Sequence, residues 1–324
     1  MNAGIDIGYS HVKSLSGNRR ATFPSVSGTP DTARFSLNGN DNIILNTPDG
    51  TWMIGHGAVE QSRFLARLED RKWILSDEYY RLMLAAFTEL TTATGPELRI
   101  VTGLPVAFYI EDKPLLQQRF LGDHTVNRKG RSSQRIRVAD CRVIPQPFGA
   151  VLNEALNNRG VIVDLDLAGG TVGVIDIGGK TTNLLSINRL AEVSKETISI
   201  NLGAWDIVRA IRDHLSTHYP DRDLRDHQII EAVINREMKY YGKPVDLTAA
   251  VNDTLQPMAR QIIAQATQLW NGGAGLDAIL VSGGGAHLFG GAIKSHFRHA
   301  RIVDNPVYAN VSGYWKLAQR VGAK

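Results

Sequence analysis

The sequence has 324 residues, of which 43% are hydrophobic and 21% are charged, as in ordinary soluble globular proteins. That length suits two domains or one large α/β unit. Lysine and arginine exceed aspartate and glutamate by 36 − 32, and this net charge of +4 does not by itself indicate nucleic-acid binding. Cys141 is the only cysteine, which excludes an intramolecular disulfide and a zinc site built from several cysteines.

The start of the chain and its hydropathy predict a cytoplasmic protein. Residues 3–7 already resemble a strand, with no basic-then-apolar leader before them. No stretch approaches the roughly 20 apolar residues that cross a bilayer. We therefore expect no membrane partner, and a single cysteine suits a reducing cytoplasm.

The first predicted strand contains an aspartate near its end and is followed by a glycine turn. Ala3–Ile7 is apolar around Asp6, Gly8 begins the turn, and Val12–Leu15 resumes the strand pattern. Lys13 lies just past the turn. It is either an ordinary surface lysine or a residue placed to contact a phosphate.

The next part of the chain predicts a loop-rich insertion and then alternating helices and strands. Ser76 is the expected N-cap of the first long helix, and Gly95-Pro96 is its expected stop. The densest basic cluster, residues 128–131, is interpreted as a solvated loop tip rather than a DNA-binding arm. The predicted elements are strands at Phe35–Leu37, Ile43–Leu45, Thr51–Ile54 and Leu98–Gly103, helices at Asp77–Ala93 and Lys113–Phe120, and a strand pair at Asp123–Asn127 and Arg135–Ile144.

Gln146 stands at the end of the second strand of that pair, between Pro145 and Pro147. The two prolines stiffen the backbone, so the amide has a defined direction. A helix over residues 148–157 is expected to follow. A glutamine at a strand end is usually a polar cap, but here it is also a candidate for positioning a water molecule.

A second aspartate–glycine turn lies near the middle of the chain. The apolar run Val172–Ile175 ends at Asp176, and the strand pattern resumes at Leu184–Ile187 after Gly178 and Gly179. This predicts a tight hairpin between buried strands, whose successive N–H groups suit phosphate oxygens. The tripeptide Asp-Ile-Gly occurs at residues 6–8 and 176–178, which indicates two related halves.

Two other interpretations of this hairpin are compatible with its sequence. The tripeptide Gly179-Lys180-Thr181 resembles the end of a P-loop, which requires an earlier glycine where Val174 stands and a helix afterwards. The other possibility is an ordinary hairpin without a ligand. The rest of the chain has to decide between them.

The last third of the chain predicts helices around a third glycine turn. Gly283, Gly284 and Gly285 follow a buried strand and precede a helix, a pattern suited to close approach of a flat or anionic ligand. The predicted elements are strands at Ala191–Ile200 and Ala278–Val281 and helices at Trp205–Thr217, Arg225–Arg236, Leu247–Trp270 and Tyr314–Val321.

Five motifs now stand in a fixed order. They are Asp-x-Gly-x-Ser-x-x-Lys at 6–13, Pro-Gln-x-x-x-Ala at 145–150, Asp-Ile-Gly-Gly-x-Thr-Thr at 176–182, Ser-Gly-Gly-Gly-Ala at 282–286 and Asn-Pro-x-x-Ala-x-x-x-Gly at 305–313. Their order resembles the phosphate 1, connect 1, phosphate 2, adenosine and connect 2 segments of the actin–hexokinase–heat-shock-chaperone ATPase superfamily. Within it, the sequence is most similar to the ParM/StbA plasmid-segregation actins and their archaeal relatives.

The resemblance implies an α/β fold of duplicated actin-like (ribonuclease H-like) domains with a nucleotide cleft between them. Domain I would comprise residues 1–149 and 306–324, with the loop-rich insertion at about 16–75. Domain II would comprise residues 150–305, with a helical insertion at about 205–270. The implied cofactors are ATP, with GTP as the alternative nucleotide, and Mg²⁺.

The resemblance also implies roles for individual residues. Asp6, Asp176 and Gln146 would be catalytic, the two aspartates holding Mg²⁺ through water and the glutamine orienting the attacking water. The nucleotide would be bound by Gly8, Tyr9, Ser10, His11, Lys13, Gly178, Gly179, Lys180 and Thr181 at the phosphates, by Gly203 and Glu237 at the ribose, and by Gly283, Gly284, Gly285, Ala286 and His287 at the adenine.

Three positions depart from the family pattern. Lys180 replaces a small residue, and Asn183 stands where many relatives have a second aspartate. Gln146 replaces the glutamate of some segregation actins, and a neutral amide is a poor base, so slow hydrolysis is expected.

The implied function is a filament-forming ATPase for plasmid or DNA segregation. It would bind DNA through an adaptor protein and not directly. A small-metabolite phosphotransferase of the same superfamily is the alternative, and a nucleotide-binding module without hydrolysis is a third possibility.

Overall fold

The computed structural model describes residues 1–31, 42–66, 71–222 and 224–322. The predicted strand Phe35–Leu37 lies outside these residues. Among the described residues, no helix is both long and apolar enough to span a membrane.

The strands of the described chain form two large sheets and one small hairpin. They are β1 Asn2–Ile7, β2 His11–Ser16, β3 Arg19–Pro24, β4 Ser27–Gly28, β5 Ile43–Thr47, β6 Gly50–Ile54, β7 Leu65–Ala66, β8 Glu97–Leu104, β9 Gly122–Arg128, β10 Gln134–Pro145, β11 Thr171–Ile177, β12 Thr182–Asn188, β13 Ala191–Glu192, β14 Ile198–Ile200, β15 Glu237–Tyr240, β16 Lys243–Asp246, β17 Ala278–Ser282 and β18 Ala300–Ile302.

The helices alternate with these strands. The α-helices are α1 His56–Gln61, α2 Asp77–Leu90, α3 Tyr109–Phe120, α4 Phe148–Ala155, α5 Leu165–Gly169, α6 Ala204–His218, α7 Asp226–Asn235, α8 Thr248–Leu269, α9 Ala286–His296 and α10 Ala309–Gly322. Short 3₁₀ helices span Arg71–Leu75, Val106–Phe108 and Ser194–Glu196.

Most of the predicted elements that fall on described residues are present, and they differ mainly at their ends. Helix α2 begins as predicted, with the Ser76 hydroxyl accepting from the Tyr79 N–H group at 3.1 Å. It ends at Leu90 and not at Ala93, because Thr91 adopts an extended conformation. Helix α10 begins five residues before the predicted Tyr314, and α3 begins four residues before Lys113.

One strand prediction was wrong, and the loop-tip prediction was right only in part. The single strand predicted over residues 191–200 is two short strands, β13 and β14, separated by a 3₁₀ turn. The basic cluster is not wholly solvated either. Arg128 is buried and bonds Glu89 and the Thr88 hydroxyl, while Arg131 donates to the Thr88 carbonyl at 2.6 Å.

The first compact unit comprises residues 1–165 and 308–324. Its ten strands run in the order β3-β2-β1-β8-β10-β9-β5-β6-β4-β7. One core packs α2 and α3 on the sheet, and a second packs α4 and α10 on β8 and β10. Helices α4 and α10 cross closely, since a Cβ atom on Gly313 would lie 1.9 Å from the Gly149 carbonyl oxygen.

The second unit comprises residues 166–307. Its main sheet runs β13-β12-β11-β17-β18, with β14 also paired to β12. A single large core joins this sheet to the helices α6, α7, α8 and α9. Strands β15 and β16 form a separate hairpin.

The two units repeat one local topology. In the first, β1 pairs antiparallel with β2 and parallel with β8, which pairs parallel with β10. In the second, β11 pairs antiparallel with β12 and parallel with β17, which pairs parallel with β18. This duplication was predicted from the repeated tripeptide. The domain boundaries at 149/150 and 305/306 stay predictions.

Candidate functional site

The hairpin of the first unit holds a buried carboxylate beside a lysine. Asp6, at 2% exposure, stands directly opposite Lys13 in the β1–β2 register. The Lys13 Nζ atom lies 3.3 Å from Asp6 Oδ2, and the Lys13 side chain is 16% exposed. A cation this close compensates the buried negative charge.

Gln146 contacts the same carboxylate. Its Nε2 atom donates to Asp6 Oδ1 at 3.0 Å. The backbone of Gln146 is fixed by its N–H donation to the Leu104 carbonyl at 2.8 Å, and Tyr314 donates its hydroxyl to the Gln146 carbonyl at 3.1 Å. Pro147 adopts a helical conformation at the N-cap position of α4. The stiff glutamine predicted from the sequence therefore has a defined partner, Asp6.

The turn of this hairpin is fixed by a hydrogen bond within it and by another from Ser25. The Gly8 N–H group donates to the His11 carbonyl at 3.1 Å, and Ser25 donates its hydroxyl to the Gly8 carbonyl at 2.5 Å. The Ser10 hydroxyl and His11 Nδ1 lie 2.8 Å apart. The Tyr9 ring stacks on Trp73 with centroids 4.8 Å apart. Gly8 thus shapes the turn, while the backbone roles predicted for the other turn residues stay predictions.

The hairpin of the second unit holds the other buried aspartate. Asp176, also at 2% exposure, accepts a hydrogen bond from the Ser282 hydroxyl at 2.9 Å. The Gly178 N–H group donates to the Thr181 carbonyl at 2.9 Å, which closes the turn. Lys180 lies in this turn with its side chain partly exposed. Because strand β12 and not a helix follows the turn, the P-loop interpretation is wrong.

Helix α6 begins against this second turn. Its first two N–H groups, of Ala204 and Trp205, donate to the Gly178 and Gly179 carbonyls at 3.0 and 2.8 Å. A Cβ atom on Gly203 would lie 2.4 Å from the Gly179 carbonyl oxygen, so only glycine fits there. Gly203 therefore packs against the second turn, and its predicted place beside the ribose stays a prediction.

The third glycine turn lies on the other side of Asp176. Gly283 has φ +86°, and a Cβ atom there would lie 2.3 Å from the Ile177 carbonyl oxygen and 2.8 Å from Asp176 Oδ1. The Gly285 N–H group donates to the Ile177 carbonyl at 2.9 Å. Gly284 and His287 are exposed, whereas Gly285 and Ala286 are buried. The second and third glycine turns are therefore adjacent.

Glu237 is a predicted site residue that belongs to none of these glycine turns. It is exposed at the start of β15, opposite Asp246 in the separate two-stranded hairpin. Its contact with a ribose hydroxyl stays a prediction.

Comparison with known families identifies the chain. A family model of the N-terminal domain of actin-like proteins matches residues 4–149. A second model, of the C-terminal domain of archaeal MreB-like actin homologues, matches residues 174–295. The chain belongs to the actin-like proteins. The fold predicted from the five motifs is confirmed, and so is the resemblance to the ParM-type and archaeal members.

Solved structures of actin-like proteins share the fold of the whole chain. Ta0583, an archaeal actin homolog, is 22% identical, with a TM-score of 0.84 over 98% of this chain and 99% of its own. Its complex with ADP is 20% identical, with a TM-score of 0.81 over the same shares. A 15-stranded ParM filament from Clostridium botulinum is 22% identical, with a TM-score of 0.83 over 98% and 99%. A comparison with curated protein sequences gives no match.

Three contacts around the second hairpin were not predicted from the sequence. Ser282 was noted only as part of a glycine motif, although its hydroxyl bonds Asp176. Asp206 caps α6 by accepting from the Gly203 N–H group at 2.8 Å, a contact that the three-residue spacing of a capping box could have indicated. Ser199 donates to Asn183 at 2.5 Å, and no sequence signal pointed to it.

Proposed function

We propose that this actin-like chain binds ATP through its two aspartate–glycine hairpins, hydrolyses it slowly and assembles into filaments. The observation that carries this proposal is the repeat itself. Asp6 and Asp176 occupy the same place in two copies of one topology, each at the end of a buried strand and before a glycine turn. A buried aspartate beside a glycine turn is better suited to binding a metal ion and a phosphate than to a purely structural hairpin.

The donor set fits Mg²⁺. Carboxylate oxygens are the ligands that this ion prefers, and Asp6 and Asp176 would supply one each. Among the described residues, no group of three or more histidine, cysteine, aspartate or glutamate side chains is placed to hold a metal ion. A site with so few protein ligands suits an ion that keeps several waters. Bound Mg²⁺ would neutralise charge on the phosphates.

Two relatives support the nucleotide-binding part and the assembly part of the proposal. Ta0583 was solved with ADP, and ParM of Clostridium botulinum was solved as a filament. We extend the proposal to plasmid or DNA segregation in the cytoplasm, with a DNA-binding adaptor protein as partner. Direct DNA binding by the basic cluster is disfavoured, because Arg128 is buried against Glu89.

Gln146 is the residue proposed to orient the attacking water. Its amide already bonds Asp6, so it is held at the carboxylate rather than free in solvent. An amide positions water but accepts a proton poorly, which accounts for slow turnover.

The substitution Gln146→Ala tests this role. Phosphate release after ATP addition should slow by about tenfold or more, the size expected for a lost positioning group, while assembly monitored by light scattering stays intact. Gln256→Ala, on the exposed side of α8, is the matched control and should change neither. Equal loss of assembly and phosphate release would show that Gln146 is misassigned. ATP consumption that rises with an added sugar, without assembly, would favour a phosphotransferase instead.

A further inference from the structure

Four polar side chains form a row across the sheet of the second unit. The register pairs Ser199 with Asn183, Asn183 with Asp176, and Asp176 with Ser282, on strands β14, β12, β11 and β17. Residues paired in register point to the same face of a sheet. Asn183, Asp176 and Ser282 are each at most 2% exposed. Polar groups buried at this depth require partners.

The hydrogen bonds in this row set the orientation of the Asn183 amide. Ser199 donates its hydroxyl to Asn183 Oδ1 at 2.5 Å. Asp176 stands opposite Asn183 on the other strand, and an ionised carboxylate only accepts hydrogen bonds. The reversed amide would direct its oxygen towards that carboxylate, so electrostatics and the Ser199 bond favour the same orientation. The Nδ2 donors of Asn183 are therefore on the side away from Ser199.

The first unit has a residue at the matching position. Lys13 follows Asp6 by seven residues and stands opposite it, as Asn183 follows and stands opposite Asp176. Both side chains are hydrogen-bond donors next to an aspartate. The lysine carries a positive charge and the asparagine does not, so the two hairpins present donors of different strength.

We propose that Asn183 is a nucleotide-binding residue that donates from Nδ2 to a phosphate oxygen beside Asp176, and that Ser199 positions it. In this role Asn183 acts through its amide nitrogen and not as a metal ligand, with its amide oxygen directed to Ser199. The inference rests on the proposed binding of ATP. It gives the second hairpin a neutral counterpart of Lys13.

The substitution Asn183→Leu, close in size but without a donor, separates the donor role from a metal-ligand role. With a fluorescent ATP analogue and saturating Mg²⁺, nucleotide affinity should fall by about tenfold or more, the usual effect of losing a hydrogen bond to a charged group. The affinity of the ADP complex for Mn²⁺, measured by electron paramagnetic resonance, should stay within about twofold of the wild type. Asn188→Leu, at the exposed end of the same strand, is the control and should change neither.

A second variant covers the case in which Asn183→Leu does not fold. Ser199→Ala should weaken nucleotide binding in the same way but less, again without changing Mn²⁺ affinity. A fall in Mn²⁺ affinity of about tenfold in either variant would make Asn183 a metal ligand and overturn the inference. Unchanged nucleotide affinity in both variants would overturn it too. If the wild type binds no nucleotide, the proposed function fails, which is a different outcome.

Discussion

Asp6 and Asp176 have similar burial but different surroundings. Asp6 has a cation at 3.3 Å and a glutamine amide at 3.0 Å. Asp176 has a serine hydroxyl at 2.9 Å, and the residue opposite it, Asn183, is neutral. Lys13 therefore places a positive charge directly beside Asp6, whereas the Ser282 hydroxyl bonds Asp176 without adding a charge.

Lys13, which already pairs with Asp6, is expected to contact a phosphate of the nucleotide too. The substitution Lys13→Met keeps the approximate length of the side chain and removes its positive charge. ATP affinity measured by calorimetry should fall by about tenfold or more, because a charge-assisted contact to phosphate is lost. Lys129→Met, at the exposed loop tip, is the matched control. A variant that is destabilised but binds ATP as tightly as the wild type would restrict Lys13 to pairing with Asp6.

Individual site residues could be predicted where they belong to a recognisable strand–turn motif. The two aspartates precede glycine turns, and that pattern is visible in the sequence. Ser199 and Ser282 were not predictable as contacts, because a lone serine has no periodicity and its partner depends on strand register. For Ser199 the difficulty was greater, since β14 was predicted as part of one continuous strand.

Secondary-structure elements were predicted best where burial is periodic or a cap is present. Helix α2 has both, with Ser76 at its start and a row of buried apolar residues. The start of α10 was missed because its first turns contain Asn310 and Gly313, which do not look amphipathic. Those turns are helical because they pack on α4, where Gly313 lies against the Gly149 backbone. Such a tertiary contact overrides local propensity.

His124 links three elements of the first unit and makes its stability depend on pH. It lies on β9 at 6% exposure, with Nε2 2.8 Å from the Phe120 carbonyl of α3 and Nδ1 3.2 Å from the Tyr80 hydroxyl of α2. Burial lowers the pKa of His124 below its ordinary value of 6.5. The unfolded chain then binds a proton more readily than the folded one. The stability associated with neutral His124 is therefore present above about pH 6.5 and is lost as the pH falls through the lowered pKa.

This linkage predicts the behaviour of His124→Gln, which does not titrate in that range. The fall in the free energy of unfolding between pH 7 and pH 5, measured with urea, should be smaller than in the wild type. His56→Gln replaces an exposed histidine and should leave that pH dependence unchanged. An identical pH dependence in the wild type and His124→Gln would contradict the linkage.

At the scale of the whole molecule, the chain consists of two units that repeat one strand topology. The motifs predicted this duplication because each copy preserves the aspartate, the glycine turn and the parallel neighbour strand. They did not predict the short strands β13 and β14 or the hairpin β15–β16, which lack long apolar runs. Each unit of this actin-like chain has one aspartate–glycine hairpin, and the proposed nucleotide-controlled assembly depends on both.

Sedimentation of the purified chain with and without Mg-ATP tests the central claim most directly. Polymer should pellet at high protein concentration with Mg-ATP, and little should pellet without nucleotide. Electron microscopy of the pellet should show filaments. A chain that binds Mg-ATP, as shown independently by calorimetry, yet stays monomeric at high concentration would contradict the account.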